Sequence, residues 1–369
     1  MSAATVEYLF LTTAALYKSD SDVTAALPSV RLGSLLPAFA LTTLGYDART
    51  VSLYTDTSVA EAGLPKAKRI VFGEMSDASD GWSKSISAYR RLLSLIERPR
   101  ERVVLAIADD HFDDPAFRAF YAQALPECLA VATVSETLAA KLRGLTSRPV
   151  HVTPEPVEGA RGAARAPAAR RRARPLMWLA ERAGVPQEAW RIRLLWYGFP
   201  MNLSALLDLL PGLDTLARDY LLELVCVTQP VRELEQLLTP DRTRADAPLR
   251  AQFVQWSAGA VPALLAASDL VLIPSVYGDP RRQAKSPNRL VAALHGGRLP
   301  ICHPLPAYLP YSQCAWIGEN LIEGIRWALA HPRQVLERIA GGQRLIDERH
   351  SAEAVARAWL AVFRTKDDA

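Results

Sequence analysis

The sequence predicts an α/β protein built from two parallel-sheet units. Three observations carry that prediction. Short Val-, Ile- and Leu-rich runs alternate with longer helical patterns. The alternation breaks once, at an Arg/Ala-rich stretch, and then restarts. At 369 residues, the chain exceeds what one core ordinarily organises.

In the first half the strand candidates are Glu7–Thr13, Thr50–Tyr54, Arg69–Gly73, Arg102–Ala108, Leu129–Ser135 and Val150–Thr153. Most are rich in Val, Ile and Leu without strict alternation between apolar and polar, which is the mark of strands buried on both faces. Helical patterns lie between them. Arg31–Leu44 gathers Leu32, Leu35, Leu36, Phe39 and Leu44 mostly on one side and stops at Gly45. Ser83–Ile96 and Pro115–Leu125 follow the same logic. Strand–helix alternation of this kind implies a parallel sheet with helices on both faces.

Glu158–Arg174 (EGARGAARAPAARRRAR) has no apolar period and reads as a flexible linker or surface insertion. A basic arm would normally interleave aromatic residues. Their absence favours a solvated linker over a segment that touches lipid or nucleic acid. Beyond it the strand candidates are Arg193–Tyr197, Leu222–Thr228, Gln252–Trp256, Leu270–Pro274 and Leu299–His303. Leu203–Asp208, Val261–Ala267 and an apolar stretch from Leu290 to Leu299 read as helices, and the tail adds Glu323–Ala330, Arg333–Ile339 and Ala352–Phe363. The expected organisation is a first domain over 1–157, a linker or insertion over 158–190, a second domain over 191–350, and a C-terminal helix and tail over 351–369.

Composition narrows the function. Half the residues are hydrophobic, 22% are charged and the formal net charge is +4, too mild for a nucleic-acid binder. Cys128, Cys226, Cys302 and Cys314 form no C-x-x-C pair, so neither a zinc site nor a disulfide framework is implied. The N-terminus is a poor signal peptide, and no apolar run reaches about 18 residues. A cytoplasmic protein is expected, with peripheral membrane contact left open. No dinucleotide fingerprint, P-loop, nucleophile elbow or zincin motif occurs.

One segment invites chemistry. Lys285-Ser286-Pro287-Asn288-Arg289 opens an apolar helix, with Ser286 a candidate cap and Pro287 suited to the first turn. Two cations beside free helix N–H groups make an anion seat. An exposed helix end with snorkelling cations is the competing reading. A second cluster follows the Arg102–Ala108 strand: His111 among Asp109, Asp110, Asp113 and Asp114. One of the last two suits a cap on the Pro115 helix, and the cluster is also of a metal-binding type.

The segment around Lys285 resembles the donor-binding region of GT-B glycosyltransferases, in particular the family-4-like retaining enzymes. The matching residues are Asp269, Val271, Pro274, Ser275, Lys285, Ser286, Asn288, Arg289, Gly297, Pro300, Pro304, Pro306 and Tyr308. Arg193–Asn202 (RLLWYGFPMN), Ala108–Phe112 with Leu129–Leu142, and Val150–Glu158 are similar to further segments of that family. The resemblance implies two Rossmann-like domains facing across a cleft, with a C-terminal helix crossing back to the first. It implies a nucleoside-diphosphate-sugar donor held mainly by the second domain, no obligatory metal or cofactor, and a glycan, protein or small-molecule acceptor on the first. The donor-side candidates are then Lys285, Ser286, Asn288, Arg289, Ser275, Tyr197, Gly198, Asn202 and Trp256. The catalytic candidates are His111, Asp109 and Asp110, and the acceptor-side ones Ser29 and Arg31. One departure stands out. Many retaining relatives carry two glutamates eight positions apart where this chain has Ala284 and Ala292. A catalytically silent binding or scaffold subunit is the alternative that follows from it.

Overall fold

The computed structural model describes residues 6–18, 23–54, 57–73, 75, 82–168, 190–257 and 259–366. It separates into two compact units. One comprises Met1–Val157, Gln283–Ser286 and Asp347–Ala369, the other Glu158–Arg282 and Pro287–Ile346.

The first unit holds a six-stranded, all-parallel sheet of β1 (Tyr8–Thr12), β4 (Ala48–Ser52), β5 (Arg69–Phe72), β6 (Val103–Ile107), β7 (Ala130–Thr133) and β8 (Val150–Val152). Its spatial order is β4-β1-β5-β6-β7-β8. Every residue of β1 is buried. Leu9 and Leu11 join the core on one face, Tyr8 and Phe10 the core on the other. That two-sided burial is why the strand reads as an unbroken apolar run.

The helix Ala352–Phe363 completes the second of these cores, as expected for a C-terminal helix that returns to the first domain. Phe363 stacks on Tyr8 with centroids 4.4 Å apart, and Trp359 meets Phe10 edge-on at 5.1 Å. Ser351 caps this helix, its Oγ accepting from the Ala354 amide.

The second unit repeats the architecture with β9 (Ile192–Tyr197), β10 (Leu222–Thr228), β11 (Leu249–Gln255), β12 (Leu270–Ile273), β13 (Leu299–Cys302) and β14 (Trp316–Ile317). All pairings are parallel, in the order β11-β10-β9-β12-β13-β14. Chain direction across the sheet reverses between β9 and β12. In a doubly wound sheet that switch point, at the carboxyl ends of the strands, is where ligands bind.

Several expectations need correction. The helix opening the apolar stretch after Lys285 is Asn288–His295, so Leu299 belongs to β13 and not to the helix. Pro287 occupies the N-cap, with no side-chain cap bond, so Ser286 is not the cap. Ser286 lies one residue too early for its oxygen to reach the second or third helical amide. The helical run expected from Arg31 begins at Pro28 and passes through a π-helical turn, Arg31–Leu35, before Leu36–Thr43. The tail helix expected over Arg333–Ile339 runs over Pro332–Arg349. The antiparallel pair β2 (Tyr17–Lys18) and β3 (Val23–Thr24), and β14, have no counterpart in the sequence reading because two residues are too short for a periodicity.

Residues 158–168 contain no helix or strand, yet they are held down within the second unit. The Gly162 amide donates to His295 O (2.9 Å), Arg165 N to Gly297 O (3.0 Å), and Gln343 Nε2 to Gly162 O (2.8 Å). Arg165 also pairs with Asp269 at 3.0 Å. The Arg-rich half of the expected linker, 169–189, lies outside the described residues. Gly297 is required here. Its φ is +75°, and a Cβ would sit 2.2 Å from Ala163 O. We expect Gly297→Ala to cost about 2 kcal/mol or more, read as a lowered denaturation midpoint. An unchanged midpoint would contradict the docking of this segment.

All four cysteines are free and buried. No described helix is long and apolar enough to cross a membrane.

Candidate functional site

At the switch point of the second sheet, β9 ends in Tyr197 and turns at Gly198, and β12 runs into Pro274 and Ser275. The Asn288 helix begins close by. Its first amides precede the intrahelical bonds, the earliest of which runs from Val291 N to Pro287 O. Such an end carries partial positive charge.

Arg289 lies at the centre of this edge. The Tyr197 hydroxyl donates to Arg289 O at 3.0 Å, tying the strand end to the helix start. The guanidinium turns toward the glycine turn, so that a Cβ on Gly198 would stand 3.5 Å from Nη1 and 3.6 Å from Asn202 Nδ2. A glycine at 198 leaves that space open. Nη1 is shut off from solvent and meets no acceptor among the described residues, and no carboxylate among them pairs with this arginine. An unsatisfied buried donor on a charged group costs about 1–3 kcal/mol or more, so it calls for an explanation. Burial pushes the Tyr197, Tyr308 and Cys302 groups up, and the Arg289 charge beside them opposes that rise.

A second arginine joins it. Arg282 donates through Nη1 to Asn202 Oδ1 and through Nη2 to Met201 O (3.3 Å). The geometry therefore brings together Tyr197, Gly198, Asn202 and Arg289 from the sequence-derived candidates. It adds Arg282, and the buried Tyr308, whose hydroxyl oxygen accepts from the Arg289 guanidinium. Arg282 escaped sequence reasoning because nothing in RRQ says which arginine turns inward. The remaining donor-side candidates are placed as follows. The Ser275 amide donates to His303 Nδ1 at 3.0 Å. Asn288 is the first helical residue. Trp256 directly follows β11 and bonds through its amide to Thr228 O.

Lys285 and Ser286 fall in the first unit. Lys285 Nζ is ion-paired to Asp109 Oδ1. Its neighbour Ala284 is buried in the core of that unit, and the Ser135 hydroxyl donates to its carbonyl at 2.6 Å.

Asp109, Asp110 and His111 follow β6. Both Asp110 oxygens lie 2.7 Å from Lys141 Nζ, so this carboxylate is engaged in holding its own loop. His111 stacks on Phe117 with centroids 4.7 Å apart, and its Nε2 stands 4.0 Å from Asp109 Oδ2. Asp114 is the helix cap foreseen for the Pro115 helix, accepting from Ala116 and Phe117 amides. With the aspartates committed in this way, no cluster of three or more His, Cys, Asp or Glu among the described residues is placed to hold a metal.

Ser29 lines a recess at the carboxyl ends of β6 and β7, with Gly33, Ala108, Val134 and Trp359. Arg31 is spent on structure: it is buried, and its Nη1 donates to Ala25 O (2.7 Å) and Ala26 O (3.1 Å).

Two doubly wound, all-parallel sheets, one with an arginine whose Nη1 is buried without an acceptor at its switch point, define a class, the two-unit α/β proteins with Rossmann-like domains. Within that class the chain has the GT-B fold of glycosyltransferases. Anabaena HepE, solved in complex with UDP and glucose, matches with a TM-score of 0.62 over 98% of this chain and 100% of its own, at 11% identity. Sucrose-phosphate synthase from Thermosynechococcus elongatus matches at 0.62, 97% and 98%, with 13% identity. WaaG, a glycosyltransferase involved in lipopolysaccharide biosynthesis, matches at 0.57 over 97% and 100%, with 13% identity. No family model and no curated protein matches the sequence.

Proposed function

We propose that the chain is a glycosyltransferase that moves a sugar from a nucleoside diphosphate sugar to an acceptor hydroxyl. The observation that carries this reading is Arg289: a guanidinium whose Nη1 is buried without an acceptor, at the switch point of a GT-B sheet. The bond between the sugar's anomeric carbon and the diphosphate breaks, the bond to the acceptor oxygen forms, and the acceptor's proton passes to a base. The demand is to stabilise the departing diphosphate. Fixed cations and a helix N-terminus meet it without reorganising at the moment of reaction.

Arg289 and the Asn288 helix end serve the diphosphate, with Arg282 fixing Asn202 beside them. Trp256 lies two strands from β9, roughly 10 Å away, which suits a nucleobase platform. On the first unit, the pair of His111 and Asp109 is the proposed base. Asp110 is withdrawn from that role because Lys141 occupies both its oxygens. Lys285 is engaged by Asp109 within the first unit, so the diphosphate role falls to Arg289.

Ala284 favours a second reading, a silent GT-B-like binding or scaffold subunit. It sits in an apolar core where no carboxylate could serve a ligand. A hydrolysis assay across a panel of nucleotide sugars separates the two. Slow release of one nucleoside diphosphate, lost in His111→Ala, is the expected result. Tight nucleotide binding without turnover of any donor would select the silent reading.

A further inference from the structure

We propose that His303 is a ligand-contacting residue of this site, its Nε2 hydrogen-bonding a phosphoryl oxygen of a nucleoside diphosphate. The inference rests on the reading above. Neither the apolar pattern of β13 nor the candidate residues taken from the sequence point to this histidine.

His303 immediately follows β13, the strand paired with β12. It lies on the same carboxyl edge as Ser275, and it adjoins Cys302, on which the Arg289 charge acts. Its ring is pinned through one nitrogen. Nδ1 stands 3.0 Å from Ser275 N and 2.7 Å from Ser275 O, and the Tyr277 ring packs against the imidazole edge-on at 5.1 Å and 61°. Nε2, on the far side of the ring, has no hydrogen-bond partner among the described residues.

The bond at one imidazole nitrogen decides what the other offers. When Nδ1 accepts from the Ser275 amide, Nε2 carries the proton and donates. When Nδ1–H donates to the Ser275 carbonyl, Nε2 of the neutral ring is left with a lone pair, and only a doubly protonated ring donates there. An anionic oxygen selects these donor forms. The Ser275 backbone thus clamps the ring through Nδ1 and leaves Nε2 as the nitrogen available to a ligand on this edge, a donor whenever Nδ1 accepts from the Ser275 amide. Ser275 contributes through its backbone, not its hydroxyl.

The test is calorimetric titration of UDP, ADP, GDP and CDP, and of the matching nucleosides, into the full chain and three variants. His303→Ala is expected to weaken the best diphosphate about tenfold, the loss of one charge-assisted hydrogen bond, and to leave the nucleoside unaffected. His303→Gln, which keeps an amide donor, is expected to recover part of the loss. In the wild-type chain the Nε2 resonance of this imidazole is expected to move with the diphosphate and not with the nucleoside, a readout that needs no variant to fold. Unchanged diphosphate affinity in His303→Ala, an equal loss for nucleoside and diphosphate, or a stationary Nε2 resonance would overturn the proposal. If Arg289→Ala also binds like wild type, the diphosphate seat itself is misplaced. If Arg289→Ala loses binding and His303→Ala does not, His303 alone is wrong.

Discussion

Arg289→Ala is expected to abolish nucleoside-diphosphate binding while leaving the unliganded melting temperature within a few degrees of wild type. The two halves of that result come from one fact. Nη1 is buried and unsatisfied, so in the free protein this part of the guanidinium carries a desolvation cost that its hydrogen bond with Tyr308 only partly offsets. Its removal sacrifices packing near Tyr197 and the hydrogen bond with Tyr308 but also removes a buried, unsatisfied Nη1. A ligand at a hundred times its dissociation constant stabilises wild type by about 2.7 kcal/mol, or roughly 5–10 °C for a unit of this size. That rise should vanish in the variant. Arg289→Lys should restore only part of it, because an ammonium lacks the planar fork that matches a phosphate. A steep loss of stability in unliganded Arg289→Ala, with ligand binding intact, would make Arg289 a structural residue.

Glu223→Gln is expected to destabilise the second unit by about 3–5 kcal/mol without touching the carboxyl-edge site. Glu223 is 1% exposed on β10 and stands in register between Arg193 of β9 and Arg250 of β11. Arg193 donates to one oxygen. Arg250 donates to the other through Nε at 3.0 Å, and Gln252 adds a bond at 2.9 Å. Burial alone would push the carboxyl up. The hydrogen bonds and charges of Arg250 and Arg193 outweigh it and hold the group below the usual carboxylate range. The pH dependence follows. The unfolded chain takes up the proton first, near pH 4.3, so the stabilisation is fully present above that value. It is lost as pH falls toward the depressed folded value. Urea midpoints of wild type should therefore drop below about pH 4, and Glu223→Gln should lack that part of the slope. Equal midpoints for the two chains at neutral pH would refute the role given to this triad.

The same residue shows where sequence reasoning stops. Leu222–Thr228 reads as a buried strand because six of its seven residues are apolar or small, and the strand runs over just that span. Nothing within the segment announces that Glu223 is neutralised from both sides. That fact belongs to the register with β9 and β11. Strands buried on both faces were legible throughout, as were caps such as Asp114, because each depends on a few adjacent residues. Arg289 was legible through its place in a motif. Arg282, His303 and Lys141 were not, because their partners lie 80, 28 and 31 positions away. Ser286 misled for a related reason: a hydroxyl before a proline looks like a cap, but the helix starts one residue too late to use it.

The most direct measurement is a thermal-shift screen of the wild-type chain and of Arg282→Ala/Arg289→Ala against the common nucleoside diphosphates. The expected result is a rise of several degrees with at least one nucleoside diphosphate in wild type, and none in the double variant. A wild type that no nucleoside diphosphate stabilises, or a double variant that keeps the full shift, would contradict the account.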